Sequence, residues 1–154
     1  MNRRKLLGLL GGSIAGFTTL AAYGSGRAEQ SDHDHSGPLE ECARVCADCL
    51  RECESCSDHC ARLLASGKKE HLTTLQTCAD CAEVCAAAAK IASRHGPLAV
   101  AICEACAKAC DICGAACEKT PDDQHMQKCA KACRDCAKAC RDMIKHVGHE
   151  QRRN

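Results

Sequence analysis

Eighteen of the 154 residues are cysteine, and their spacing is regular. They stand at Cys42, Cys46, Cys49, Cys53, Cys56 and Cys60, then at Cys78, Cys81 and Cys85. A third run holds Cys103, Cys106, Cys110, Cys113 and Cys117, and a fourth holds Cys129, Cys133, Cys136 and Cys140. Within each run every step is three or four residues, the alternation that marks the seam of a helical bundle. On a helix, neighbours at these spacings lie about 5–6 Å apart at Cβ. Two such sulfurs can turn inward and hold one ion between them.

Thiolate is a soft ligand, suited to Cu(I), zinc and iron–sulfur clusters. Charge separates these. A buried row of bare thiolates is prohibitively costly, so the metal-free chain must hold neutral thiols. Each Cu(I) that replaces a proton leaves the interior neutral. A zinc ion on four thiolates leaves two surplus negative charges, and stacked sites of that kind repel. The spacing therefore predicts many Cu(I) ions per chain, on the order of one per cysteine at the upper end. A zinc or broad-metal thiolate buffer is the alternative. A thiol redox protein fits less well, because it needs one activated pair and this chain spreads equivalent thiols over four helices. No catalytic residue and no enzyme activity is expected. A disulfide framework has no defined pairing here, since each cysteine has several near neighbours. The loop spacings of iron–sulfur proteins are absent.

Four helices must position these thiols. The first is expected over Leu39–Ala65, stopped by Ser66-Gly67, and the second over about Glu70–Arg94, stopped by Gly96. The third is expected over Pro97–Lys119. The fourth begins at Thr120-Pro121-Asp122-Asp123 and ends at Gly148. Short connections make consecutive helices antiparallel, giving an all-α, up-down-up-down four-helix bundle over residues 39–148 with a Cys-lined core. Residues 149–154 form a C-terminal tail. The first run spans about 27 Å at about 1.5 Å per residue, so the thiols line most of the interior. Phe17 and Tyr23 are the only aromatic residues, and both precede the bundle. Metal-free, such a core is thin, and bound metal should add much of its stability.

Residues 1–28 read as a cleaved signal peptide. Arg3, Arg4 and Lys5 precede an apolar stretch from Leu6 to Ala22, and Gly26-Arg27-Ala28 offers a cleavage site. The paired arginines point to the twin-arginine export route and a periplasmic location. A transmembrane anchor fits less well, because the apolar run is short of ~20 residues. Without this segment the formal charge passes from +1 to −3, since Arg3, Arg4, Lys5 and Arg27 leave with it. Nothing remains to favour nucleic acid. Residues 29–38 form a polar tail whose His33 and His35 read more simply as a solvated linker than as a metal trap.

Extending the 3/4 pattern past the cysteines reaches softer or polar ligands. Met143, His95 and His146 gather at the end where the first helix starts. His71, Met126 and His125 gather at the other, with His59 one turn in. Met143, Met126, His95 and His71 are the candidates for metal entry, against the simpler reading of core methionines and surface histidines. The Met143/His95 end is slightly favoured, because the second helix has alanines there and should leave it roomier.

The twin arginines with the runs Cys42–Cys60, Cys103–Cys117 and Cys129–Cys140 resemble the copper storage proteins, in their exported branch. The resemblance covers the whole chain. It implies Cu(I) held by paired thiolates inside the bundle and a homo-oligomer, a tetramer of bundles. It also implies supply of copper to a copper chaperone or copper enzyme, or detoxification. In that family one bundle end carries Met and His that help admit copper. This chain has only three cysteines in its second helix, which bears on the site count and the position of the mouth.

Overall fold

Proline and glycine punctuate the bundle. In this computed structural model, which describes residues 37–150, Pro38 opens helix α1 (Pro38–Ala65) in the first turn, where its missing N–H costs nothing. Gly67 closes it in the left-handed conformation, φ 92°. There the Gly67 N–H donates to the Leu64 carbonyl and the Lys68 N–H to the Leu63 carbonyl, satisfying two terminal acceptors. A 3₁₀ turn, Lys69–His71, leads into α2 (Leu72–Ala92). Helices α3 (Ala99–Cys117) and α4 (Gln124–Glu150) follow, and no strand occurs among the described residues. None of the described helices is long and apolar enough to cross a membrane.

The ends differ from the sequence reading: α3 is two residues shorter than Pro97–Lys119 at each end, α2 starts at Leu72 rather than Glu70, and three further differences bear on the site. Helix α4 does not start at Thr120: Asp123 is its cap, with Oδ1 accepting from the N–H groups of His125 and Met126 at 2.9 and 3.1 Å. Thr120-Pro121-Asp122 forms the preceding turn. Nor does Gly148 stop α4, which runs through it to Glu150; a glycine in a helix costs only about 1 kcal/mol. Helix α2 ends at Ala92, so its inward stripe does not reach His95. His95 instead takes the left-handed position after the helix, φ 51°, the place Gly67 fills after α1. The signal peptide and the His33/His35 tail lie outside the described residues.

Each helix packs on its two neighbours in a square, α1 on α2 and α4, α3 on α2 and α4. Sulfur contacts give the directions. Between α1 and α3, across the diagonal, numbers rise together: Cys42 with Cys103, Cys49 with Cys110, Cys56 with Cys117. Between α1 and α4 they run oppositely: Cys42 with Cys140, Cys53 with Cys129. The same holds between α2 and α3: Cys78 with Cys117, Cys85 with Cys106. Neighbours are antiparallel, and sulfurs bridge the diagonal between α1 and α3.

Outside, charge holds the helices in register. Arg134 on α4 crosses Gly114 on α3 to reach Glu118 at 2.6 Å and Asp111 at 3.7 Å. A Cβ at position 114 would lie 3.2 Å from the guanidinium carbon, so glycine leaves the space that this crossing uses. Arg141 adds an ion pair to Asp111, and Lys128 ties α4 to Glu52 on α1 at 3.0 Å.

Candidate metal centre

All eighteen cysteines are free thiols with at most 1% of their surface exposed. They form one column along the bundle axis, with hydrogen-bonded sulfurs 3.5–4.0 Å apart. The stripe inferred from spacing is therefore a physical column. No buried side-chain nitrogen or oxygen lacks a partner among the described residues, so the interior holds little polarity besides thiols.

The column is a chain of overlapping four-thiol groups, each with its sulfurs within 4.8 Å of one another. Cys46, Cys106, Cys136 and Cys140 form one. Cys136 is shared with Cys49, Cys85 and Cys110; Cys49 is shared in turn with Cys53, Cys81 and Cys133. Cys53 and Cys133 recur with Cys113 and Cys129, and Cys129 recurs with Cys56, Cys78 and Cys117. Two of these groups, Cys49/Cys85/Cys110/Cys136 and Cys56/Cys78/Cys117/Cys129, draw one thiol from every helix. Successive groups share sulfurs rather than standing apart.

Protons are unevenly held in the column. Hydrogen bonds, first with Cys106, then with Cys133, Cys136 and Cys49, and burial after them, push the Cys110 thiol up. Cys49 and Cys81 are drawn down, chiefly by their bonds with Cys110, at 3.8 and 3.7 Å. At the column's edge, burial and then the charges of Cys56 and Cys117, with Asp123 beyond, push Cys60 up to about 12. Near neutral pH Cys60 therefore holds its proton until a metal replaces it.

Known proteins share this fold and part of this sequence. A family model described as copper storage protein matches residues 28–145. The chain belongs to the copper storage protein family. The Cu(I)-bound copper storage protein BsCsp3 of Bacillus subtilis superposes with a TM-score of 0.62 at 36% identity, covering 70% of this chain and 98% of that one. A cytosolic copper storage protein from Streptomyces lividans, captured with five coppers, gives 0.61 at 31% identity, covering 70% and 92%. The cysteine-rich protein YhjQ of Bacillus subtilis is 38% identical over 94 residues, 60% of this chain and 83% of its own length. A member of this family stores copper as Cu(I), and this chain has the cysteine-lined helical bundle that such storage needs.

The two ends of the column differ. At the near end, where α1 starts, Cys42 meets Cys103 at 3.7 Å and Cys140 at 3.8 Å. Helix α2 contributes Ala88 and Ala92 there, both fully buried, and Met143 is 1% exposed. The alanines thus do not make a roomier, open end: their small side chains let the helices close over them. His95 and His146 are exposed, and His95 is spent on an ion pair with Glu40 of α1. A groove of about 600 Å³ lies on the α1–α4 flank instead, lined by Cys42, Cys49 and Met143.

At the far end Met126 is fully buried and His71 and Thr74 are 7% exposed. Beside them His59 on α1 stacks on His125 of α4, ring centroids 4.6 Å apart. His59 Nε2 lies 2.8 Å from Asp123 Oδ2, and His125 Nε2 3.1 Å from Ser55 Oγ. Burial raises the Asp123 carboxyl, but bonds to His59 and to the Met126 and His125 backbone outweigh it and hold the pKa below its ordinary value. Asp123 and Ser55 escaped the sequence reading, because only the antiparallel register of α1 and α4 brings them to the histidines.

Proposed function

We propose that all eighteen cysteines are ligands to the stored copper, and that the chain is a non-catalytic, exported Cu(I) store. The overlapping four-thiol groups carry this reading. At least fifteen of the eighteen sulfurs belong to these groups, and the groups are linked through shared members, so ions bridged by thiolates can fill the column while the interior stays neutral. No thiol pair stands apart from the rest as a redox centre would need. An anaerobic Cu(I) titration of the reduced protein against a competing chelator tests it. Binding of many equivalents, up to about one per cysteine, is expected. Saturation at a few ions would overturn it.

A tetrahedral zinc site is the second reading, favoured by one observation. With Zn–S near 2.3 Å, the edge of a zinc tetrathiolate is about 3.8 Å, close to many contacts in the column. Charge opposes repeating such a site, as each adds two negative charges to a dry core. Matched competition between Zn(II) and Cu(I) separates the two.

Ions pass through the ends, with Met143, Met126, His71 and His95 as the softer or polar groups nearest them. The buried thioethers of Met126 and Met143 are the natural first acceptors, since they bind Cu(I) without losing a proton. His95 is the weakest of the four because Glu40 occupies it. Export rests on Arg3-Arg4 and the apolar segment behind them; the family match begins at residue 28, next to the expected cleavage site. Replacing both arginines with lysine should retain the protein in the cytoplasm, as cell fractionation would show. Delivery would then serve a copper chaperone or copper enzyme of that compartment, or protect it from free copper.

A further inference from the structure

Four histidines of the bundle are engaged: His59 with Asp123, His125 with Ser55, His71 with Glu70 and His95 with Glu40. His146 on α4 is different. It is exposed and has no hydrogen-bond or ion-pair partner among the described residues. It lines the groove on the α1–α4 flank, and so does Pro38, the first residue of α1. The two meet again around a smaller cavity of about 240 Å³, with Leu39 and Val147. The chain therefore enters the bundle beside a free imidazole.

His33-Asp34-His35 stands just before that entry. A chain spans at most about 3.6 Å per residue, so His35 lies within about 11 Å of Pro38 and His33 within about 18 Å. In extended backbone, residues two apart share a face, so one ion can meet both rings. By itself such a tail is a solvated linker, because two imidazoles leave a metal's coordination half filled. A third imidazole at the point of entry supplies what it lacks. Three nitrogens with one further position make a set that zinc accepts, and imidazole suits Cu(II) and Ni(II) as well.

Charge favours a divalent ion here, as it disfavours one in the column. Glu41, Asp48, Asp135 and Asp142 line the groove against Arg44 and Lys138, an excess of carboxylate. Asp34 would add to that excess, so without metal the groove gives the tail no electrostatic reason to settle. A divalent cation between the two attracts both. We propose that His33, His35 and His146 form a site for a borderline divalent cation at the near end, and that the ion docks the tail in the α1–α4 groove. The site is separate from the stored Cu(I), since it uses surface imidazole in place of buried thiolate. Cleavage after Ala28 leaves the tail in place.

Calorimetric titration of Zn(II) into the full chain, reduced and filled with Cu(I), tests this. Zinc is the probe because it does not oxidise thiols, and copper already occupies the column. One equivalent should bind beyond the column. His146→Ala should weaken it at least about tenfold, since even an outer-shell partner of a metal is worth that much. His33→Ala with His35→Ala together should weaken it as far. Helical circular dichroism should match the unaltered chain, because His146 is exposed and the tail precedes the bundle. Absence of the zinc equivalent would overturn the proposal. So would zinc bound as well by His146→Ala, which would make the tail a chelator acting alone, or as well by the double variant. Cu(I) capacity is measured separately on every chain, so failure of this site and failure of the store give different results.

Discussion

Past Cys42 and Cys140, the near end of the column carries Ala88, Ala92 and Met143, all buried and, apart from the thioether, without polar atoms in their side chains. Past Cys60 and Cys129, the far end carries the buried Met126, whose backbone N–H donates to Asp123, itself part of a polar cluster with His59, His125 and Ser55. The near end is closed by packing with a single His95–Glu40 pair at its rim, and the far end adds a hydrogen-bonded cluster of four side chains to its own buried thioether. A packed seal yields only when side chains are displaced from a dense core. A hydrogen-bonded seal yields when one partner moves, and water can replace what it loses. Asp123 concentrates that weakness, because it both caps α4 and holds His59.

The comparison meets its largest effect in alkali. Cys60 is held at about 12 against an ordinary 9.0. Because the folded value is raised, the stability this thiol contributes is intact below pH 9 and is lost as pH climbs from 9 through 12. The metal-free protein should therefore melt lower at the top of that window, as Cys60 ionises in the unfolded chain. The copper-loaded protein should barely respond. Calorimetry on both forms checks this, and equal pH responses would show that the column is not kept neutral by protons when empty.

A smaller effect separates the ends directly. Asp123→Ala removes a helix cap worth about 1 kcal/mol together with the tie to α1. If the hydrogen-bonded end opens first, stopped-flow Cu(I) uptake should quicken by roughly five- to tenfold. Glu40→Ala, which frees His95 at the packed end, should leave the rate unchanged. The reverse pattern would make the near end, with its flank groove, the working entrance.

The smallest effect concerns His95. A left-handed conformation costs a non-glycine residue roughly 1 kcal/mol, and the exposed pair with Glu40 returns up to about that much. His95→Gly should thus shift stability by less than about 1 kcal/mol in denaturant unfolding, and copper uptake should not change. A large loss of uptake would assign His95 a part in metal passage despite its exposure.

The column was readable in the sequence because steps of three and four leave a side chain little choice of face, and all eighteen cysteines follow them. The buried Met126 and Met143 obey the same rule one step of three residues further out. What could not be read depends on residues distant in sequence. Thr120-Pro121 looked like a helix start, yet the carboxylate that reaches the free N–H groups belongs to Asp123. Gly96 marks the turn after α2, but the helix already ends at Ala92 and the left-handed residue is His95, so the stripe stops short of it. The His59–Asp123 and Arg134–Glu118 contacts need the register of two helices at once, which local spacing does not supply.

The sharing of sulfurs between successive four-thiol groups has a consequence for error tolerance. Where every ion has a private cage, losing one ligand empties one cage completely. Here Cys136, Cys49, Cys53, Cys133 and Cys129 each belong to two groups. An ion displaced from one group still touches a sulfur of the next. The column therefore resembles a memory with overlapping addresses: a mutated or oxidised cysteine shortens the record slightly, and the remaining contents can be rewritten along the chain of neighbours.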